Sequence, residues 1–386
     1  MNQTKRRFNI PFNKPFISGK ELYYIADSVM KGHISSNGHY TRKCELLLEQ
    51  ITQSHRVLMT NSCTASLEMA CILIDLKPGD EVIMPSFTFV STANAVVLRG
   101  AKPVFCDIRE DTLNIDESLI EGCITEKTKA ILPVHYAGQV CEMDVIMQLA
   151  RKNNLFTIED AAQSVGAFQY NQHAGTVADL GCFSFHETKN IMCGEGGALL
   201  INNPAFTGKA EIIREKGTNR EAFFRKETEL YTWVDLGSSY LPSELQMAFL
   251  YAQLENLELI TKKREKAWEY YHRHFQILED KGYLRLPRTM PYNTLNYHLF
   301  AVICRNGQER DALLGFLKQR GIDAVFHYVP LHSSPQGKKT GRIYGDSLPI
   351  TDRISQCLIR IPIYYEITLE EQDNIIRTVE AFFHNL

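Results

Sequence analysis

From Arg56 onward the chain alternates short apolar runs with helical stretches of about ten residues, and this alternation limits the fold more than any other feature. Runs that read as buried strands occupy 57–59, 81–84, 103–106, 130–133, 155–158 and 182–185. Helical patterns fill the gaps at 67–76, 90–99, 116–122 and 143–153. Strands separated by helices pair in parallel, and the helices cover both faces of the sheet. In such sheets ligands collect at the carboxyl ends of the strands. Thr64, Phe89, Asp160 and Ser184 all fall at or just after predicted strand ends.

The flanking regions read differently. Residues 15–53 are mostly helical in pattern, with a Gly/Ser/Asn break at 32–38 that is either a connector or a substrate-facing loop. Residues 242–274 read as one long helix or two, with Leu245, Ala248, Phe249, Ala252 and Leu259 on one face. A domain boundary is expected near Leu259, dividing a large domain, 1–258, from a smaller α+β domain, 259–386. The smaller domain contains strand-like runs at 297–304 and 324–326 and a helix at 309–319. Its last helix opens at Thr368 with Glu371 three residues later, a capping box, and runs to about Phe383. The Gly-, Lys- and Ser-rich stretch 333–347 reads as a mobile loop.

Composition excludes several roles. With 42 basic and 45 acidic residues the net charge is −3, which marks no nucleic-acid-binding surface. No apolar run approaches the ~18 residues of a membrane span. Met1 to Arg7 is polar and basic with no apolar stretch after it, so no secretory signal is expected. The ten cysteines are scattered, lack any CxxC pair and mostly lie in apolar runs, which implies reduced thiols and a cytoplasmic protein. His186, His327 and His332 fall in no HxH or HExxH spacing that would mark a metal site, and His186 reads as a core or loop histidine.

The chemistry concentrates in two stretches. The run 155–158 delivers Asp160 at its end, and 182–185 delivers Ser184 and then Lys189, 29 residues after the aspartate. Gly194, Gly196 and Gly197 follow and make the backbone pliable. Taken singly, Asp160 is an ordinary helix cap and Lys189 a solvated side chain. Together, with Lys189 among Phe, Cys and Gly, they suit pyridoxal phosphate, which needs a lysine for its Schiff base and an acid against its ring nitrogen.

The runs EDAAQ (159–163), SFHETKN (184–190) and GEGG (194–197) resemble the pyridoxal-phosphate nucleotide-sugar aminotransferases of fold type I, and the resemblance extends from about Ile10 to the C-terminus. It implies a large domain with a mostly parallel seven-stranded sheet. It also implies Lys189 as the catalytic Schiff-base lysine, Asp160 on the pyridine nitrogen and Gln163 at the phenolic oxygen. Thr64, Ala65 and Ser184 would hold the phosphate, and Phe89 would stack on the ring. Relatives carry a G-x-N motif reaching the phosphate from the partner subunit, but this chain has Gly237-Ser238-Ser239, so Ser239 is the weaker candidate. His327 and His332 would border the sugar-nucleotide pocket. Lys216 and Arg220 are candidates for substrate anions, or surface ion pairs. Matches at 62–70, 85–95, 211–220 and 326–332 are similar to the branch that aminates carbon 4 of dTDP-4-keto-6-deoxyglucose to the galacto product, with glutamate as donor. The resemblance further implies a homodimer with its active site at the subunit interface. A dehydratase of the same fold would carry histidine in place of Lys189, and a non-catalytic member would have lost Lys189 or Asp160.

Overall fold

The computed structural model describes residues 9–384, so the expectation about Met1 to Arg7 lies outside the described residues. Its centre is an eight-stranded sheet in the order Arg56–Thr60, Gly197–Ile201, Leu180–Ser184, Phe156–Asp160, Thr128–Ile131, Glu81–Pro85, Lys102–Cys106 and Arg342–Ile343. Only Gly197–Ile201 runs antiparallel to its neighbours, and the other pairings are parallel. Glu81–Pro85, Leu180–Ser184 and Gly197–Ile201 are buried along their whole length. That is why 81–84 and 182–185 read as apolar runs and not as alternating ones. Helices such as Cys63–Leu73 and Met143–Lys152 cover the two faces.

Seven of the eight strands come from the chain before Asn202, as expected, and the eighth is an addition. It arises in the stretch expected to be a mobile loop. There Ser334 caps a short helix, Pro335–Thr340, and Arg342–Ile343 then pairs with Val104 and Phe105 at the open sheet edge. The Arg342 guanidinium grips Glu81 with bonds of 2.8 and 2.6 Å. Two paired residues leave no periodic signal, so composition alone pointed to a loop.

The segment 242–274 forms two helices, Glu244–Glu255 and Leu257–Asp280, meeting at Asn256. Ser243 and Gln246 close a capping box on the first. Beyond them a small antiparallel sheet, Leu284–Arg285, Phe300–Cys304 and Leu358–Ile361, packs with its own cluster of Tyr271, Phe275, Leu313, Ile375 and Val379. The expected strand at 324–326 is a single bridge, Val325 with Arg360. The last helix, Leu369–His384, has the expected box: Thr368 Oγ1 accepts from the Glu371 amide, and Glu371 accepts from the Thr368 amide. Ile10, from the other end of the chain, also packs into this second cluster.

Candidate active site

The carboxyl ends of the large sheet's strands open into a cavity of about 760 Å³. Strand Arg56–Thr60 feeds the helix Cys63–Leu73 through Ser62, whose hydroxyl caps the helix by accepting from the Ala65 amide at 3.1 Å. The opposing strand passes so close that a Cβ on Gly197 would lie 2.4 Å from the Ser62 carbonyl carbon. Glycine is required there. This helix start reaches the cavity through Cys63 and Thr64. The Thr64 hydroxyl lies 2.8 Å from that of Ser91.

Asp160 ends the strand Phe156–Asp160 and is 5% exposed. It accepts from the Thr92 hydroxyl at 2.8 Å and from the Ala162 amide at 3.2 Å. Burial raises its pKa, and the two bonds and the charge of Lys189 only partly oppose that. Its neighbour Glu159 points to the other side of the strand, into the interior. There it accepts from His135 Nε2 and from the amides of Gly175, Val177 and Ala178, between 2.7 and 2.8 Å. His135 Nδ1 accepts from the Cys141 amide, which fixes the ring proton on Nε2. Glu159 therefore locks the strand end that presents Asp160.

Ser184 ends the next strand, and the turn after it carries Lys189. The Lys189 amine has no hydrogen-bond or ion-pair partner among the described residues, and burial lowers its pKa. Gln163 is held at both ends, accepting from the Ala137 amide and donating to the Tyr328 hydroxyl, each at 2.7 Å. Phe89 stands 57% exposed at the start of helix Val90–Val97 and lines the cavity.

The cavity thus brings together Thr64, Phe89, Asp160, Gln163, Ser184, Lys189 and His327. Five residues named from the sequence lie apart from it. The Ala65 amide is engaged by Ser62, so Cys63 and Thr64 supply the helix-start amides that have no partner among the described residues. Lys216 and Arg220 both pair with Glu215, at 2.9 and 3.2 Å, because that buried carboxylate needs a counter-charge. Ser239 is exposed beside them, bridged to Glu215. His332 borders a different contact: the Ser86 hydroxyl lies 2.7 Å from its Nδ1, and its Nε2 faces Asp352 at 3.3 Å. His186 bonds Thr188, and among the described residues no group of three or more His, Cys, Asp or Glu gathers as a metal site.

Sequence reading passed over Thr92, His298, Tyr328 and Arg360, all in contact with this site. The last carried a signal, as a lone charge between Ile359 and Ile361 in a buried strand. His298 Nδ1 lies 3.1 Å from Asn190 Oδ1, whose amide nitrogen is committed to the Asn296 carbonyl. The Nδ1 therefore holds the proton, and burial keeps the ring neutral.

A buried carboxylate with no cation bonded to it, facing the same cavity as an unpartnered amine, needs a ligand that satisfies both. Pyridoxal phosphate fits this donor set. Asp160 would hold its ring nitrogen, Lys189 its aldehyde carbon and Gln163 its phenolic oxygen. The helix-start amides, Thr64 and Ser184 would hold its phosphate.

The chain matches the DegT/DnrJ/EryC1/StrS aminotransferase family over residues 16–380. It is 35% identical over 380 residues to an uncharacterised protein of Methanocaldococcus jannaschii, covering 98% of this chain and 97% of that one. A candidate sugar aminotransferase of Streptococcus pneumoniae, solved with pyridoxal phosphate, superposes with a TM-score of 0.88 at 26% identity, covering 98% and 99% of the two chains. The Helicobacter pylori aminotransferase PseC, involved in pseudoaminic acid biosynthesis, gives 0.89 at 25% identity over 98% and 100%.

Proposed function

Since this chain belongs to the DegT/DnrJ/EryC1/StrS aminotransferase family and is a pyridoxal-phosphate-dependent sugar aminotransferase, we propose that it transfers the amino group of L-glutamate to carbon 4 of dTDP-4-keto-6-deoxy-D-glucose. The products would be dTDP-4-amino-4,6-dideoxy-D-galactose and 2-oxoglutarate. The observation that carries the reading is the convergence of Asp160 and Lys189 on one cavity of about 760 Å³, within the range of ~300–1,000 Å³ typical of small-molecule sites. Three of the four stretches that resemble the carbon-4 branch also line that cavity, through Thr64, Phe89 and Tyr328. The fourth, 211–220, does not reach it within one chain.

The cofactor supplies an electron sink for the carbanion formed when a proton leaves the substrate carbon. The protein's part is to hold and move protons. The Asp160 carboxylate, oriented by Thr92 and Ala162, would hold the cofactor's ring nitrogen and favour its protonated form. Burial lowers the proton affinity of the Lys189 amine, so once free it can take a proton from one carbon and return it to another. Gln163 is fixed by Ala137 and Tyr328 and so can orient an oxygen without rotating away. Which face of the sugar carbon receives its proton from Lys189 decides between the galacto product and its gluco epimer.

The working unit of this proposal is a cytoplasmic homodimer. Leu22, Tyr23, Met30, Leu230 and Trp233 are all more than half exposed, apolar side chains that a second copy of the chain would cover. Ser239, Lys216 and Arg220 would then act across the interface. All ten cysteines are free and buried, in keeping with a reducing compartment. Among the described residues no helix is long and apolar enough to cross a membrane.

Half-reactions test the substrate. Glutamate should shift the cofactor's visible absorption, and dTDP-4-keto-6-deoxyglucose should restore it, with the galacto configuration seen by NMR. Restoration only by a 3-keto or UDP-linked sugar would refute the substrate while leaving the aminotransferase intact. For the dimer, Lys189→Ala mixed and refolded with Ser239→Ala should recover activity if the second variant alone is impaired. A fully active monomer by light scattering would refute shared sites.

A further inference from the structure

Residues 11–15 border the cavity as a short strap anchored at both ends. At one end Ile10 is buried in the small domain's cluster, where its amide donates to the Gly321 carbonyl at 3.1 Å and its carbonyl accepts from the Asp323 amide at 3.0 Å. At the other end Phe16 is buried and stacks on Tyr365, with ring centres 4.2 Å apart. Lys14 adds an ion pair with Glu366 at 2.5 Å. Pro11 and Pro15 flank the three residues between, and each ring fixes its own φ, so the strap has little freedom to swing away. Two of those three side chains, Phe12 and Asn13, line the cavity together with Lys189. The Phe12 ring is engaged by the Arg360 guanidinium, whose central carbon lies 4.6 Å from the ring centre. Asn13 Nδ2 donates to the Glu187 carbonyl at 3.0 Å, in the turn that carries Lys189. A carbonyl can accept only from the nitrogen end of the amide. This fixes the orientation of the Asn13 side chain and leaves Oδ1 as an acceptor with no partner among the described residues.

We propose that Asn13 is a specificity-determining residue for the sugar: its Oδ1 accepts a hydrogen bond from the hydroxyl on the carbon next to the one that is aminated. This rests on the proposed keto-sugar substrate and deepens that reading. Chemistry decides between the two substrates that share the cavity. Glutamate brings two carboxylates, which have no hydrogen to give, and its amino group is the one transferred. A sugar brings hydroxyls. Placement decides which hydroxyl. Lys189 moves protons at the reacting carbon, and Asn13 is tied to the chain two residues before Lys189, so its oxygen meets the sugar close to that carbon. In dTDP-4-keto-6-deoxyglucose, carbon 4 lies between carbon 3, which carries a hydroxyl, and carbon 5, which carries none. The bond therefore goes to the carbon 3 hydroxyl. With both ends of the strap anchored, the acceptor is in place before the sugar arrives, and little ordering is left to oppose binding.

The test compares wild type with Asn13→Ala on two sugars, dTDP-4-keto-6-deoxyglucose and its analogue lacking the carbon 3 hydroxyl. The keto-sugar half-reaction is followed with each, and calorimetry measures the binding of each to the pyridoxal phosphate form, where a ketone cannot react. Retained reaction with glutamate shows that the variant is folded and loaded. A neutral hydrogen bond is worth about 2- to 10-fold. Wild type should prefer the hydroxylated sugar, and Asn13→Ala should lower that preference by about 2- to 10-fold in both measurements. Loss of the bond to Glu187 acts on both sugars alike and cancels from the comparison. An unchanged preference would overturn the assignment and leave Asn13 as a tie on the Lys189 turn, and so would a wild type that treats the two sugars equally. A wild type that accepts only a different keto-sugar would refute the proposed substrate. That sugar, with and without the hydroxyl beside its ketone, would then decide the role of Asn13 in the same way.

Discussion

Replacing Asp160 by asparagine separates the chemical role of this residue from its structural one. The carboxylate accepts from Thr92 on one oxygen and from the Ala162 amide on the other. An asparagine can turn its oxygen to Ala162 and its NH₂ to Thr92. The Thr92 hydroxyl would then give its hydrogen to Thr88, whose oxygen is 2.9 Å away. Every local bond is kept, so the fold is little disturbed. What disappears is the charge. The cofactor-free wild type holds Asp160 at a raised pKa, so this group favours the fold below the unfolded value near 4 and loses that contribution as pH rises through the folded value. At neutral pH the cofactor-free Asp160→Asn protein should thus melt at or above the wild-type temperature, and the difference should vanish in acid. Turnover should move the other way. Leaving a buried cation without its acid costs about 3–5 kcal/mol. At ~1.36 kcal/mol per tenfold, kcat should fall by roughly two to four orders of magnitude. The assays are thermal melts of the cofactor-free protein across pH 3–8 and steady-state turnover of the loaded one, with cofactor content checked by absorbance. Near-normal kcat would show that Asp160 is only a helix cap, and a large loss of melting temperature would show that the bond exchange with Thr88 fails.

Lys189→Ala should take up cofactor without the visible band that borohydride abolishes in wild type, and peptide mapping of the reduced wild-type protein should place the adduct on Lys189. Glu159→Gln sets an NH₂ against donors that now find an oxygen, and should cost about 3 kcal/mol in urea unfolding at neutral pH. Burial pushes the Glu159 carboxyl up, but His135 and the backbone amides outweigh it and hold the pKa below its ordinary value. Its contribution is therefore present above the unfolded value near 4.3 and lost as pH falls through the folded one, so the gap between wild type and Glu159→Gln should narrow in acid melts. Gln163→Leu leaves the Ala137 amide and Tyr328 hydroxyl without their partner, at about 1–3 kcal/mol, and should also blur cofactor orientation, seen as weakened circular dichroism of the bound chromophore.

The apolar runs marked six of the seven central strands because burial on both faces demands continuous hydrophobicity, a signal contained in five consecutive residues. Asp160, Ser184 and Lys189 were legible for the same reason: a polar group directly after such a run must emerge at a strand end, where ligands sit. The capping box at Thr368 was equally local. What the sequence alone could not decide depends on segments far apart in the chain. Arg342–Ile343 became a strand because an edge 238 residues earlier offered open backbone groups to Arg342 at Val104. Lys216 and Arg220 were drawn to Glu215, and His332 to Ser86 and Asp352, because each found its nearest counter-charge or hydrogen-bond partner outside the cavity. Thr92, Tyr328 and Arg360 entered the site because the tertiary fold carries them to Asp160, Gln163 and the cavity beside Lys189. Periodicity reports how a residue meets its own element, whereas a site is made by side chains converging from several elements, and only the tertiary structure contains that convergence.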